Sequence, residues 1–535
     1  MSDSEPDRDM RPLKAICALI ACGAIVIFAS RSWAGPLWLD ELLTLILVQA
    51  DSLPKMWAGI VSGIDGNPPL YLTVAWLLAH ALPSSVSTVT WLKAANLLLA
   101  AAATVVLCRV SRRAASALAT WMGAFLFVTF NDNLTYVAFE LRTYALYFLL
   151  TALAVLFQQR LIERQWPRDI ALLGIVYAAL TLSHTFGIVY VGCIALAGFL
   201  SRFRGGWRHA RPIVLALLPA LLAFACWLPF LIQQSAVGRP YIWIAPPELS
   251  DLFESLFASR PSMWIALVQM YCLAGAAIWS ARKHGSAGIR AVLRNDDWQP
   301  CRFMALLLAG ILGFTLLGWT VSVLLFPLFM PRYFTPQLIV SFALNVAFCE
   351  WLVRVVRHRG PMAMARFAAI AIVAPTALLC AVLLTREPVH RLAPCADGNG
   401  AFFETGFVRG DLPVIADSPH VFLPRATYAP QAAAYRFPLD WDVVLAYPQR
   451  SRGNATDFHI MQSLRTWAGK TSIMSTEEII GNYPQFLAIE VSGRAWLHNL
   501  RNTRDVAAEK LAEVTIPDGG GTCTLWKVTG MTARR

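Results

Sequence analysis

The chain has 535 residues, of which 57% are hydrophobic and 15% are charged. Apolar runs long enough to cross a bilayer recur along the first 385 residues, which excludes an ordinary soluble protein and predicts a polytopic α-helical membrane protein. The net charge of +12 does not indicate a nucleic-acid partner, because the Lys and Arg residues occur in short clusters between the apolar runs.

The apolar runs predict eleven transmembrane segments. We expect the first to be a retained helix rather than a cleaved signal, because no small-residue cleavage site is followed by a soluble chain. The predicted segments are 13–31, 88–108, 115–132, 144–159, 169–183, 185–201, 212–232, 262–281, 303–326, 334–353 and 367–385.

The distribution of basic residues predicts the orientation of these segments. With the N-terminus inside, the inner loops carry clusters such as Arg109, Arg112 and Arg113, whereas the outer loops carry few cations. Basic residues collect in the cytoplasmic loops of membrane proteins. The sequence therefore predicts which loops face outward.

The apolar segment 68–82 is too short for a full span, and counting it as one would invert every later loop. We place it in the first outer loop, 32–87, as an interfacial or re-entrant helix that begins at Pro68 and Pro69. The two prolines could also serve only to stiffen the loop. The catalytic module is thus predicted to cover residues 1–385.

Residues 386–535 have a mixed polar composition and are predicted to form a soluble α/β domain on the outer side. Strand-like runs are seen at 412–416, 443–446 and 486–491, and helical runs at 494–501 and 506–511. Cys395 and Cys523 both lie in this region, apart from the nine cysteines of the apolar runs. They could form a disulfide if the domain faces an oxidising compartment, and the sequence leaves the pairing open.

Four polar clusters fall on the predicted outer side, where one site could be built from separate loops. They are Asp40-Glu41, the turn and helix start at 63–71, the segment 139–146 with Glu140 and Arg142, and the segment 330–336 with Arg332 and Tyr333. A carboxylate can deprotonate an acceptor hydroxyl, and a guanidinium can bind two phosphate oxygens at once. The combination suits transfer from an anionic lipid carrier.

Each cluster also has a structural interpretation. Asp40 and Glu41 could cap a helix, Glu140 and Arg142 could pair with other loop charges, and Arg332 could anchor the chain at the interface with Tyr333. His184 could satisfy a backbone carbonyl at a helix end. These alternatives stay open on the sequence alone.

The four clusters, in this order, resemble the GT-C class of integral membrane glycosyltransferases, specifically the dolichyl-phosphate-mannose protein mannosyltransferase and aminoarabinose transferase group. The resemblance covers about residues 13–385. Asp65 to Tyr71 is similar to that group's Asp-x-His-Pro-Pro-Leu-Tyr, and Glu140 to Leu146 to its Glu-Ala-Arg-x-Tyr-Ala-Leu. Asn67 stands in place of the His and Leu141 in place of the Ala, which indicates a divergent subfamily.

The resemblance implies an inverting transfer of one sugar from a polyprenyl-phosphate donor. Asp40 would be the general base, and Glu41 and Glu140 would position the acceptor or a divalent ion. Arg142, Arg332 and Tyr333 would hold the donor phosphate. A divalent cation near Asp40 and Glu140 is compatible with the class but is not required by it. The remaining candidates for contact with substrate are Lys55, Asp65, Asn67, Tyr71, Tyr144 and His184.

The expected partners are the polyprenyl-phosphate sugar, membrane lipid, and a glycan, lipid or protein acceptor. A transporter or flippase of a lipid-linked saccharide is the main alternative, and it would place its polar residues at mid-membrane on broken helices. An inactive scaffold that recruits partners through its C-terminal domain is a third. The loops carry no organelle signal, which favours a bacterial inner membrane without excluding the endoplasmic reticulum.

Overall fold

The structure is a computed structural model of the full chain. It describes residues 36–81, 86–202, 207–238, 244–257, 260–294, 299–360, 394–397, 400–408, 412–446, 454–504, 506–516 and 521–529. The predicted segments 13–31 and 367–385 lie outside the described residues. The contacts divide the chain into two compact units. The helical unit contains the described residues of 82–227 and 246–389, and the mixed unit those of 34–81, 228–245 and 390–535.

The helical unit is built almost wholly from α-helices. They are α4 (Thr88–Ser111), α5 (Ala117–Phe130), α6 (Asp132–Phe139), α7 (Tyr144–Arg164), α8 (Pro167–Thr181), α9 (Gly187–Ser201), α10 (Trp207–Gly238), α11 (Leu249–Phe257), α12 (Arg260–Arg294), α13 (Gln299–Leu324) and α14 (Gln337–Arg357). A 3₁₀-helix, Pro331–Phe334, precedes α14. The last residues of α10, from Leu228 onward, belong to the mixed unit.

Five of the described helices are long and apolar enough to cross a membrane: Thr88–Ser111, Tyr144–Arg164, Ala210–Ser235 within α10, Gln299–Leu324 and Gln337–Arg357. Helices α5 and α9 are apolar but shorter. Large apolar side chains of the described helices are exposed, as with Leu98 at 67% and Leu222 at 65%. Lipid is the environment in which such faces are stable, so the chain is an integral membrane protein. The total of eleven spans stays a prediction.

Small residues allow two helices to approach closely in the helical unit. A Cβ on Gly123 of α5 would lie 2.7 Å from the backbone of Val346 in α14. Close backbone approach of this kind is how helices associate where the surrounding lipid is as apolar as the side chains. Helices α4 and α7 also pack together, as do α9 and α13.

The mixed unit contains a six-stranded sheet with strand order β3-β2-β1-β4-β6-β5. The strands are β1 (Val414–Ala416), β2 (Tyr435–Pro438), β3 (Ile473–Met474), β4 (Gln485–Val491), β5 (Ala507–Thr515) and β6 (Thr522–Thr529). Strands β1 to β4 run parallel, and β6 pairs antiparallel with β4 and β5. Strand β5 lies at the edge and has an irregular register between Lys510 and Ala512.

The helices of the mixed unit come from two distant parts of the sequence. Those of the first loop are α1 (Leu39–Val48), α2 (Leu53–Val61) and α3 (Leu70–His80). Those of the C-terminal region are α15 (Pro419–Tyr428), α16 (Trp441–Ala446), α17 (Asn454–Ala468), α18 (Thr476–Asn482) and α19 (Trp496–Thr503). Residues 34–81 therefore cluster with the C-terminal region, which differs from the predicted division into 1–385 and 386–535.

The α/β character predicted for the C-terminal region is confirmed, and strands β1 and β4 lie where they were expected. Two elements were assigned wrongly. Residues 443–446 belong to helix α16, because the Asp440 carboxylate accepts the backbone N–H of Val443 at 3.1 Å and caps a helix start. Residues 507–511 belong to strand β5, because pairing with β6 overrides the helix propensity of their Ala, Glu and Lys residues.

The disulfide that the sequence left open is formed. Cys395 and Cys523 are bonded with their Cα atoms 5.7 Å apart, across 128 residues of sequence. A cross-link that closes so long a loop restricts the unfolded chain strongly and stabilises the domain.

Candidate active site

In the helical unit, the turn between α6 and α7 carries Glu140 and Arg142, whose exposed fractions are only 3% and 8%. Asn96 of α4 donates from Nδ2 to the backbone oxygens of Glu140, at 2.5 Å, and Arg142, at 3.4 Å. The Thr143 hydroxyl donates to the Ser183 carbonyl at 2.6 Å. Side chains from neighbouring helices therefore fix the backbone of this turn, and both charged groups are held in defined positions.

Tyr136 links this turn to the later arginine. Its phenol hydrogen-bonds to Glu140 and to Arg332 of the 3₁₀-helix. Burial raises the pKa of Tyr136, Glu140 raises it further, and Arg332 opposes the rise, so the phenol stays protonated at neutral pH. Tyr144, at the start of α7, interacts electrostatically with Arg332, Arg142, Tyr333 and Glu140. The segments near residues 140 and 332 thus meet in one cluster.

An aromatic group surrounds His184 in the same unit. The imidazole stacks on Tyr147 with ring centroids 4.6 Å apart, and lies 5.7 Å from the ring of Tyr333. Its Nδ1 accepts the backbone N–H of Phe186 at 3.1 Å. The histidine thus bonds to the backbone just before a helix start, as the structural interpretation expects for a helix end, here through the Phe186 N–H.

A cavity of about 300 Å³ opens beside Arg332. Its size is at the lower end of small-molecule sites. The polar side chains that line it are Asn131, Asn133, Tyr136, Glu254, Ser255, Arg332, Thr335, Gln337 and Ser341. Amides and hydroxyls outnumber charges in this lining, which suits a ligand rich in hydroxyl groups.

In the mixed unit, Asp40 and Glu41 lie in the first turn of α1. The Glu41 carboxylate accepts the backbone N–H of Trp38 at 3.2 Å and is 2% exposed, which is the arrangement of a helix cap. The Asp40 side chain is intermediate in exposure. The two acids are therefore not equivalent. Glu41 has the helix-capping role that the sequence allowed for both acids, and Asp40 remains the candidate for chemistry.

The second acidic cluster of the first loop forms a compact turn. The Asp65 carboxylate accepts from the backbone N–H of Asn67 at 2.8 Å and from its Nδ2 at 2.9 Å. Gln234 donates to the backbone oxygen of Asp65 at 3.3 Å. Helix α3 then begins after Pro69, as predicted, with Tyr71 buried in its first turn. At this position Asn67 acts as the hydrogen-bond partner of an acid.

Lys55 is tied to the protein surface. Its Nζ lies 2.6 Å from the Asp51 carboxylate, and this ion pair lowers the pKa of Asp51. The same ammonium lies 6.0 Å from the centre of the Trp467 ring. These contacts are consistent with a structural role for Lys55, as an alternative to the predicted contact with substrate.

A further acid of the mixed unit lies at the carboxyl end of strand β1. Asp417 is 4% exposed, and burial raises its pKa from 3.8 to about 7, although Arg494 opposes the rise. The backbone N–H of Trp496 hydrogen-bonds to its carboxylate. No sequence pattern singled out this residue.

Within the described ranges, no three His, Cys, Asp or Glu side chains group as ligands of a metal ion. The divalent cation near Asp40 and Glu140 stays a prediction.

Sequence reasoning missed Asn96 and Tyr136. The signal for Asn96 was present, because Lys93 and Asn96 are polar residues one turn apart in an otherwise apolar segment, and both are buried. Polar residues inside a membrane helix are costly and mark positions with partners. Tyr136 gave no comparable signal, since its role depends on a contact with the distant Arg332.

The fold is that of a polytopic membrane protein with a C-terminal α/β region. No family model and no curated protein matches the sequence. Among solved structures, the chain is similar to ArnT from Cupriavidus metallidurans in the apo state, with a TM-score of 0.54 and 12% sequence identity. The similarity covers 95% of this chain and 97% of that one. It shows the fold, and confirms the resemblance to the aminoarabinose transferase group at that level.

Proposed function

We propose that this protein transfers a single sugar from a polyprenyl-phosphate donor to an acceptor hydroxyl on the outer face of the membrane. In the proposed step, Asp40 takes the proton of the acceptor hydroxyl, whose oxygen then attacks the anomeric carbon of the sugar. The bond from that carbon to the phosphate oxygen breaks, and polyprenyl phosphate leaves with the electron pair. A single displacement of this kind inverts the anomeric configuration.

The observation that carries the proposal is the cluster of Arg142 and Arg332 in the helical unit. Arginine keeps its charge under all physiological conditions and presents a planar fork to phosphate oxygens. Two guanidinium groups near buried tyrosines suit the stabilisation of a leaving phosphate, because a low local dielectric strengthens their attraction for its charge. The chain could thus stabilise charge as it develops on the leaving group.

The cavity beside Arg332 supports the same assignment. A sugar attached to a phosphate at Arg332 would fall next to a lining of amides and hydroxyls, which can bond to sugar hydroxyls in several directions. The sugar and the acceptor are left unnamed by these residues.

The disulfide supports an outer location for the C-terminal domain. Disulfides persist in oxidising compartments such as the bacterial periplasm and are rare in the cytosol. Together with the basic inner loops, this favours a bacterial inner membrane with the acids and the α/β domain on the periplasmic side.

The proposal is tested with purified protein in lipid nanodiscs and a panel of polyprenyl-phosphate monosaccharides. We expect release of free polyprenyl phosphate with one member of the panel, and no release with the Asp40→Asn variant. Movement of intact donor across a liposome membrane, without release of polyprenyl phosphate, would instead establish the transporter. Full activity of Asp40→Asn would remove the proposed base.

A further inference from the structure

The helix that carries Asp40 and Glu41 packs against the C-terminal region of the chain. Helix α1 contacts helix α15. At the end of α15, the Tyr428 phenol interacts with the backbone N–H of Leu37, two residues before α1 begins, and with the charge of Glu41. Burial and Glu41 raise the pKa of Tyr428, while the Leu37 N–H opposes them. The acidic helix therefore packs against a helix that lies almost 400 positions later in the sequence, with Tyr428 facing the residues that precede α1.

The second helix of the same loop is held from another side. Trp467 of α17 donates from Nε1 to the backbone oxygen of Lys55 at 2.7 Å, and the Ser463 hydroxyl donates to the backbone oxygen of Ser62 at 2.7 Å. Gly59 lies between, where a Cβ would come within 3.0 Å of the Trp467 ring. Helix α2 is thus bonded to α17 near both ends, and a side chain at position 59 would require Leu47 and the Trp467 ring to shift.

Helix α15 is itself fixed to the disulfide. The fully buried Arg425 forms an ion pair with Glu404, with Nη2 and Oε2 3.0 Å apart, and donates to the backbone oxygens of Pro394 and Cys395. The Tyr435 hydroxyl donates to the same Glu404 at 2.8 Å. Since Cys395 is bonded to Cys523 in strand β6, these contacts join the sheet, the disulfide and α15 into one support.

We propose that the C-terminal domain is a positioning element for the Asp40 loop, acting through Tyr428 on α15 and Trp467 on α17, and that the Cys395–Cys523 disulfide maintains it. The inference rests on the proposed role of Asp40 as base. Tyr428 and Trp467 touch no reacting atom in this scheme. They restrict where α1 and α2 can lie, and geometry matters because small displacements of a base cost large factors in rate.

A domain that only recruits an acceptor would be organised differently. Its contacts with the acidic loop would be incidental, and losing them would leave α1 and α2 unchanged. Here two hydrogen bonds from α17 reach backbone oxygens of the loop rather than its side chains, which fixes its path irrespective of surface sequence.

The test compares variants that remove one hydrogen-bonding group and keep an aromatic side chain, and each is matched by a control with the same substitution type. Tyr428→Phe and Trp467→Phe are made singly and together in the full chain. Tyr483→Phe and Trp526→Phe are matched controls, since Tyr483 accepts from Arg436 at 3.3 Å and Trp526 donates to Glu490 at 2.8 Å. Hydrogen–deuterium exchange of peptides over 37–62 is measured in nanodiscs, together with kcat and the KM for donor.

We expect faster exchange over 37–62 in the double variant and a fall in kcat of about tenfold, which corresponds to about 1.4 kcal/mol. The KM for donor should stay unchanged, because donor binding is assigned to Arg142 and Arg332. The two controls should match the wild type in both measurements. A Cys395→Ser and Cys523→Ser variant should give faster exchange over both 419–428 and 37–62.

Unchanged exchange over 37–62 in the double variant would overturn the inference, whatever the activity. Faster exchange with full activity would show that the contacts hold the loop but do not matter for transfer, which overturns the positioning role. The role of Asp40 as base is tested separately by Asp40→Asn, so the two failures can be told apart. Faster exchange over 419–428 alone in the serine variant would overturn the part assigned to the disulfide.

Discussion

The two units hold their charged residues by different means. In the helical unit, Glu140 and Arg142 are buried among aromatic rings, and their backbone is fixed by Asn96 from a neighbouring helix. In the mixed unit, Asp40 lies in the first turn of a short helix that packs against α15 of the C-terminal region. Burial among helices leaves little freedom, whereas a docked helix depends on a few polar contacts. We therefore expect the arginine cluster to be rigid and the acidic helix to be adjustable.

The largest expected effect distinguishes the two adjacent acids. Asp40→Asn should lower the rate of transfer by about 10²- to 10⁴-fold, because the variant loses the proton acceptor. Glu41→Gln should lower it far less, since a Gln can still accept the backbone N–H of Trp38. The rates are compared by release of polyprenyl phosphate at saturating donor. Equal losses in both variants would show that the cap, rather than the base, is what transfer needs.

The next effect concerns the arginine cluster. Arg332→Lys keeps the charge but loses the planar fork, so we expect kcat/KM for donor to fall on the order of 10- to 100-fold. Arg354→Lys is the matched control in the same unit, because Arg354 pairs with Glu350 at 2.8 Å on an exposed part of α14. A loss in the control as large as in Arg332→Lys would indicate general damage to the helices.

A smaller effect is expected at the support of the turn. Asn96→Leu leaves two backbone oxygens without their donor, which costs about 1–3 kcal/mol when the group is buried. We expect a thermal shift of a few degrees and lower transfer, with exchange faster over residues 140–143. Asn345→Leu, which removes a buried hydrogen bond to Ser341 elsewhere in the unit, should spare that turn. Unchanged exchange at 140–143 in Asn96→Leu would contradict the proposed support.

The smallest effect is a pH dependence within the mixed unit. The folded pKa of Asp417 is raised from 3.8 to about 7 by burial, so its contribution to stability is present below pH 4 and is lost as the pH rises through about 7. Asp417→Asn should therefore unfold at a higher temperature than wild type at pH 8, with the difference shrinking toward pH 5. Thermal scans of the full chain measure this. Asp442 is exposed, so Asp442→Asn should show no such trend. A trend shared by both variants would show that burial of Asp417 is not its cause.

Much of the helical unit could be predicted because apolar runs determine where membrane helices form. The segment 185–201 corresponds to α9, Gly187–Ser201, and 303–326 to α13, Gln299–Leu324. The predicted span 115–132 ends instead at Phe130, and the short helix α6 follows after Asn131. The Asn131 side chain accepts the backbone N–H of Leu134 at 3.0 Å and starts this new helix. Hydropathy does not report such a cap.

The attachment of the first loop to the C-terminal region could not be predicted. The bond from Trp467 to Lys55 spans 412 residues, and no local pattern in either segment specifies the other. The reversed assignments at 443–446 and 506–511 have a related cause. In both, the outcome depends on partners, a capping acid in one and strand β6 in the other, rather than on the intrinsic preference of the residues.

The edge strand β5 affects how neighbouring copies of the protein can associate in a crowded membrane. Proteins confined to one membrane meet one another at high local concentration, and an open strand edge invites pairing with a neighbour's sheet. Glu509, Lys510 and Glu513 are exposed along β5, and the register irregularity interrupts it beside Lys510. A charged, interrupted edge of this kind resists templated aggregation, so the domain can be abundant at the membrane without neighbouring copies joining their sheets.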